Sequence, residues 1–368
     1  PAGVQTVTLW WSVNGGVWRQ TPMLSAPAAG SSGYANYAAL IPGQTAGALV
    51  QFYVQAANNL GVSTTFPARG PDSRALFKVD DGTALMPQLH RLRLLMTPAD
   101  TALLLADTNV MSNDLIGLTV VHDERQVFYD VGVHLQSSER GRDASSRQGF
   151  TVRLHPEQPF RGYLETITMD RSGGYSGLGG TQDEILLWHA INHAGGLLGF
   201  ECDLVQLFAP NSQLNGTAML RISDFDGNYF DEQFQGNGDG NRYKLELIYY
   251  PTTTLTGDPQ APKLPQPDDV VNVDIRDWGN DPETYRWVFL EENNTDIDDY
   301  SQLMTFSKSF SLTGSALQTQ TARLMDSDEW MRMLAFKAFT GDVDTFTAGL
   351  NHNFMVYFRE DDGKALGL

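Results

Sequence analysis

Between residues 5 and about 80, apolar and polar positions alternate through VTLWWSV, YANYAALI, ALVQFYVQAANNLG and RALFKV, with Asn and Gly punctuating the runs. Period-two alternation broken by turn residues at short intervals predicts a small all-β sandwich over residues 1–82, with Trp10, Trp11, Tyr53 and Phe77 as core candidates. The stretch DDGTALMP at Asp80–Pro87 breaks the pattern, and from residue 88 to 368 the chain reads as mixed. RLRLLM, LTVVHD and QVFYDVGVHLQ predict strands, while PADTALLLAD predicts a helix with Asp100 and Thr101 near its start. QDEILLWHAINHA predicts an amphipathic helix, with Thr181 available as N-cap and Gly195–Gly196 ending it. The fold class expected is therefore α+β.

The C-terminal pattern is the most explicit. WMRMLAFKAF predicts a helix that Gly341 stops, FMVYF at Phe354–Phe358 predicts a buried strand, and DDG at Asp361–Gly363 predicts a turn into an antiparallel partner. Between helix and strand stand Asp342, Asp344, Asn351 and Asn353. Phosphoryl transfer needs a carboxylate to orient the attacking hydroxyl and an amide or carboxylate to hold Mg²⁺, several residues apart on one loop. Asp344 with Asn351 or Asn353 has that composition; Asp and Asn also serve simply to turn a chain.

Composition narrows the partners. With 368 residues, 41% of them hydrophobic and 11% aromatic, the chain is that of a globular protein with room for two domains. A net charge of −19 excludes nucleic acid and anionic membrane surfaces, which want Lys and Arg patches, and suits a protein working outside the cell. Cys202 is the only cysteine, so no intrachain disulfide forms, and its apolar surroundings predict a buried inert thiol. No run of about 18 apolar residues provides a membrane span. The chain opens on PAGVQ, without an initiator Met or signal peptide, which is expected of a mature, excised or incomplete chain.

Several polar segments are candidates for chemistry. ERGRDASSRQG sets Arg140, Arg142 and Arg147 beside Ser and Gly, with Arg153 a few residues on; guanidinium forks there suit phosphate oxygens, and a solvated polar loop is the alternative. His189 and His193 share a helix face but have no third ligand in sequence reach, so they read as a partly exposed pair. DFDG at Asp224–Gly227 and NGDGN at Asn237–Asn241 hint at calcium without completing a calcium loop. Residues 251–282 are rich in Pro, Thr and Asp and read as an insertion.

Taken in order, VGVHLQSSERGRDASSRQGFTVRL with PFRG, QDEILLWHAINHAGG, LNGTAMLRISDFDGNYFDEQF, NRYKLE and TGDVDTFTAGLNHNFMVYFREDDGKALGL resemble the CotH kinase family of atypical protein kinases, named for a spore coat protein. The likeness covers residues 90–368. The N-terminal segment resembles the fibronectin-III-like or immunoglobulin-like modules that accompany secreted bacterial domains. What the resemblance implies is a secreted or cell-surface bacterial kinase-like domain that binds ATP and Mg²⁺ and phosphorylates Ser or Thr of a protein substrate. By position, Asp344 looks like the catalytic Asp, Asn353 like the Asn of the family's Asn-Phe step, with Asn351 beside it as a metal candidate. Arg147 and Arg153 fall where the family carries lysines, and Glu184 is the candidate to pair with one of them. The Arg-for-Lys exchanges favour an alternative, a non-catalytic pseudokinase or scaffolding module. The family continues with a Trp-Asp-x-Asp-like segment just beyond Leu368, so the expectation is a chain incomplete at its C-terminus, with little transferase activity of its own.

Overall fold

The computed structural model describes residues 3–27, 35–83, 89–137, 142, 145–146, 148–171, 181–193, 196–245, 248–249, 256, 270–271, 274–341, 345–346 and 352–368. The fold is α+β, and the chain forms two compact units. One comprises Pro1–Ser172 with Asp203–Arg221, the other Gly173–Cys202 with Ile222–Leu368.

The first unit is built from β-structure. Strand β1 (Val4–Val13) pairs antiparallel with β2 (Arg19–Pro22) and β5 (Leu49–Asn58), and β5 also carries β6 (Ser63–Phe66) and β7 (Leu76–Lys78). β3 (Leu24–Pro27) and β4 (Ala35–Ala38) form a separate hairpin. Of the expected core aromatics, Trp11 and Tyr53 are buried; Trp10 is half-buried and stacks on Tyr53 at 5.9 Å, and Phe77 packs half-buried against the Leu9, Trp11 and Val50 cluster.

A closed seven-stranded barrel follows, with the order β10, β11, β12, β14, β13, β8, β9. Its strands are β8 (His90–Leu95), β9 (Ile116–His122), β10 (Gln126–Gln136), β11 (Gly149–Arg153), β12 (Thr166–Arg171), β13 (Cys202–Phe208) and β14 (Thr217–Ser223). Closure removes the exposed sheet edges that would otherwise invite pairing with other chains. Alternation sends Leu92, Leu94, Leu118, Val120, Val133 and Leu135 into one core with Phe128, Phe150 and Phe160. On β10 the inward set runs 128, 131, 133, 135, because the register shifts between Phe128 and Val131 and Asp130 takes φ +54°. Arg74 N donates to Asp130 Oδ1 at 2.8 Å and Leu76 N to Thr119 Oγ1 at 2.9 Å, which ties β7 to the barrel. Helix α1 (Pro98–Leu104) is capped by Thr97, whose side chain accepts from Asp100 N. Arg74 grips Asp100 bidentately at 2.5 and 3.1 Å.

The second unit combines helices with a four-stranded antiparallel sheet ordered β18, β15, β19, β20. These strands are β15 (Arg242–Leu245), β18 (Phe289–Glu291), β19 (Phe354–Phe358) and β20 (Ala365–Gly367). Helices α2 (Thr181–His193), α3 (Gly227–Phe234), α4 (Pro282–Val288), α5 (Ser301–Ser309), α6 (Gly314–Leu324) and α7 (Ser327–Thr340) complete it. The short strand β16 (Ile248–Tyr249), just before the Pro, Thr and Asp-rich segment, pairs with β17 (Val270–Val271) within it; most of residues 251–282 up to Val273 lies outside the described residues. Tyr243, Tyr285, Phe289, Phe306, Phe354 and Phe358 form the main core. Cys202 is half-buried, a correction to the buried thiol that its apolar neighbours suggested. Among the described residues no helix is long and apolar enough to cross a membrane.

Candidate functional site

The C-terminal helix, loop and hairpin fold as their residues dictate. Asp326 caps α7 by accepting from Glu329 N, acids fill the first turn, Lys337 the last, and Gly341 ends the helix at φ +70°. Trp330 and Met333 turn inward, and Trp330 Nε1 donates to Ala365 O of β20 at 2.9 Å. Beyond Gly341, Thr345 and His352 are buried, and Phe346 N donates to His352 O at 3.0 Å. That bond draws the two ends of the loop together. Phe346 stacks on Phe354 at 4.9 Å, so the closed loop is anchored on the first residue of β19.

The predicted site residues fall as follows. Asn353 is exposed at φ +51°, a left-handed conformation that Asn tolerates, immediately before the wholly buried β19. Asp342, Asp344 and Asn351 lie outside the described residues, as does Arg147. Arg153 ends β11 opposite Gly132 and Thr166, with its side chain exposed. Glu184 stands half-buried in the first turn of α2, where its Oε1 accepts from Trp188 Nε1 at 3.4 Å. Arg153 belongs to the first unit, Glu184 and Asn353 to the second.

Arg142 is a correction to the expectation of a phosphate-seeking or solvated loop. It is buried, donating from Nε to Ser137 O at 3.1 Å and from Nη1 to Asn113 Oδ1 at 2.8 Å. Its own carbonyl accepts from Gln148 Nε2 at 2.7 Å, and Gln148 Oε1 in turn accepts from Asn211 Nδ2 at 2.6 Å. Burial lowers its pKa. The guanidinium therefore holds the loop from within, since a buried cation needs fixed acceptors.

The acidic loops also resolve into structure. Asp226 caps α3, accepting from Tyr229 N at 2.9 Å, and Asp231 Oδ1 accepts from Gly238 N at 3.0 Å. Asp226→Ala is expected to lower stability by about 1 kcal/mol in urea unfolding, the usual worth of such a cap; an unchanged midpoint would contradict that role.

One residue was missed in the sequence. Glu329 sits in the first turn of α7, where an acid is ordinarily a solvated partner of the helix dipole, yet it is only 3% exposed. Its Oε2 accepts from Gly367 N at 3.2 Å, while Oε1 has no hydrogen-bond partner. Burial pushes its pKa up to about 7; the Gly367 bond lowers it, and nearby Asp326 raises it further. A carboxyl at this value holds its proton at mildly acid pH and releases it near neutrality. The available signal was its spacing: Glu329 precedes the buried pair Trp330 and Met333 on the inward face.

Compared with known proteins, the chain matches no protein-family model, and no curated protein matches it.

Proposed function

We propose that the protein is a CotH-like atypical kinase that transfers the γ-phosphate of ATP to Ser or Thr of a secreted or surface protein. The observation that supports this reading is the order of α7, a connection carrying the Phe346–His352 bond, and the β19–β20 hairpin, with Asp344 just before Phe346 in the sequence. In this reading Asp344 orients the acceptor hydroxyl and takes its proton as the oxygen bonds to the γ-phosphorus and ADP departs. The donor chemistry fits Mg²⁺, since Asn351 and Asn353 both offer hard oxygens. The ion would neutralise charge on the phosphates when bound. Arg153 and Arg147 are assigned to ATP phosphates, and Glu184 to orienting one of them. Residues 1–82 are read as a fibronectin-III-like or immunoglobulin-like sandwich ahead of the kinase-like domain, on the strength of the antiparallel sheet around β1 and β5 and the β3–β4 hairpin.

A pseudokinase scaffold is the second reading, favoured by an exposed Arg153 where the family carries Lys. A planar guanidinium does not reproduce the compact ammonium at a phosphate. Incorporation of label from γ-phosphate-labelled ATP into a Ser-rich acceptor, with Asp344→Ala as control, separates the two. Loss of labelling in the variant is expected for the kinase. Nucleotide binding without transfer in the unmodified protein supports the scaffold, and labelling undiminished in Asp344→Ala excludes Asp344.

A further inference from the structure

The inward-facing rows of the barrel end in histidine. On β8 the row runs Leu94, Leu92, His90; on β9 it runs Leu118, Val120, His122. Leu92 is the register partner of His122, so His90 lies diagonally across from it on the same face, at the end of the barrel. The two imidazoles stack at 5.7 Å, and His122 rests edge-on against the buried Phe160 at 4.9 Å. Asp123 follows at the tight turn into β10, where Asp123 and Glu124 both take positive φ and Arg125 N donates to His122 O at 3.0 Å. Its Oδ1 is occupied by Arg91 N at 2.8 Å. The other oxygen, Oδ2, faces both rings, at 2.8 Å from His90 Nδ1 and 3.3 Å from His122 Nε2.

We propose that His90, His122 and Asp123 bind a divalent transition-metal ion of the Zn²⁺ class at this mouth of the barrel, with a fourth position left to water. Two nitrogens and one carboxylate oxygen are the borderline donor set such an ion prefers. One ligand atom from each residue lies within 4.8 Å of the other two. Ligand bonds of about 2.0 Å in a tetrahedron separate donors by roughly 3.3 Å, so the three atoms need little movement to close on an ion. His122 supplies a second, independent observation. Its Nε2 is buried and has no hydrogen-bond partner although Asp123 Oδ2 is 3.3 Å away. A cation placed between that nitrogen and the carboxylate would bond to both. Phe160 beneath the ring excludes water from that side, while the His90 side chain is 52% exposed and leaves a path for the ion. The pair His189 and His193 on α2 lacks these features: both are exposed, and His193 Nδ1 is engaged with His189 O at 2.7 Å.

Cobalt titration of the untagged, EDTA-stripped protein tests the site, because tetrahedral Co²⁺ absorbs in the visible range. One equivalent is expected to bind with that absorption and to be displaced by Zn²⁺. His90→Ala removes a half-exposed side chain, and Asp123→Asn keeps both the turn conformation and the acceptor for Arg91 N, so both variants are expected to fold. Each is expected to weaken binding at least about 100-fold, beyond what loss of an outer-shell partner brings. His189→Ala is expected to leave binding unchanged. Absence of the visible band, its survival in both site variants, or its loss in His189→Ala would overturn the assignment.

Discussion

Gly240→Ala is expected to cost the second unit about 3 kcal/mol or more, at the upper end of overpacking effects. A Cβ at Gly240 would stand 1.9 Å from Phe358 O and 2.9 Å from the Tyr357 ring. The obstacle is backbone of the buried strand β19, which cannot swing aside as a flexible side chain would. Nor can Gly240 retreat: its carbonyl accepts from Asn293 Nδ2 at 3.0 Å, and next to it Asn241 O accepts from Phe358 N at 2.9 Å. The substitution must therefore part β15 from β19 or shift the whole edge. Gly227→Ala is the control. Its Cβ would meet nothing within 4 Å and it opens α3, so removing a glycine there is expected to be neutral or to stabilise by about 0.5–1 kcal/mol. Urea unfolding followed by tryptophan fluorescence reads both, and equal midpoints for the two variants would contradict this packing.

The second large effect concerns the buried carboxyl of Glu329. Its folded pKa, about 7, lies above the ordinary 4.5, so folding favours the protonated form. The stability it contributes is fully present below pH 4.5 and is lost as pH rises through about 7. Ionisation in place costs about 3 kcal/mol by linkage, an order-of-magnitude figure. Glu329→Gln keeps an oxygen to accept from Gly367 N and cannot ionise. The difference in unfolding free energy between the unmodified protein and the variant is therefore expected to shift toward the variant by about that amount between pH 5 and pH 8. Histidines titrating in the same window affect both proteins alike and cancel in the difference. A difference that stays constant across that range would show that Glu329 is not held protonated by burial.

Local features were legible in the sequence because the physics that fixes them is local. Gly341 stops α7, FMVYF is β19, and DDG turns the chain into β20, each as its side chains require. The strands around Trp11, Val120 and Val133 were equally plain from alternation. Barrel closure was not legible, since β13 pairs in parallel with β8 across more than a hundred residues and no short-range pattern encodes that partner. Arg142 was misread and Glu329 missed for a related reason. A charged side chain in a polar loop or a helix's first turn is ordinarily solvated, and only tertiary packing turns these two inward. The histidines ending two inward rows could have been found, because the alternation that fixed Leu92 and Val120 also fixed the face of His90 and His122.

The kinase reading joins one carboxylate to one loop. In the sequence Asp344 stands between Gly341, which ends α7, and Phe346, whose N–H donates to His352 O ahead of the hairpin that begins at Phe354. If that carboxylate orients the acceptor hydroxyl, its removal should act on transfer while leaving nucleotide binding and folding in place. The most direct measurement is phosphate incorporation into a Ser-rich acceptor by the protein and by Asp344→Ala, with ATP binding followed in parallel. Labelling is expected to disappear in the variant while ATP binding persists; equal labelling by both proteins would contradict a catalytic role for Asp344.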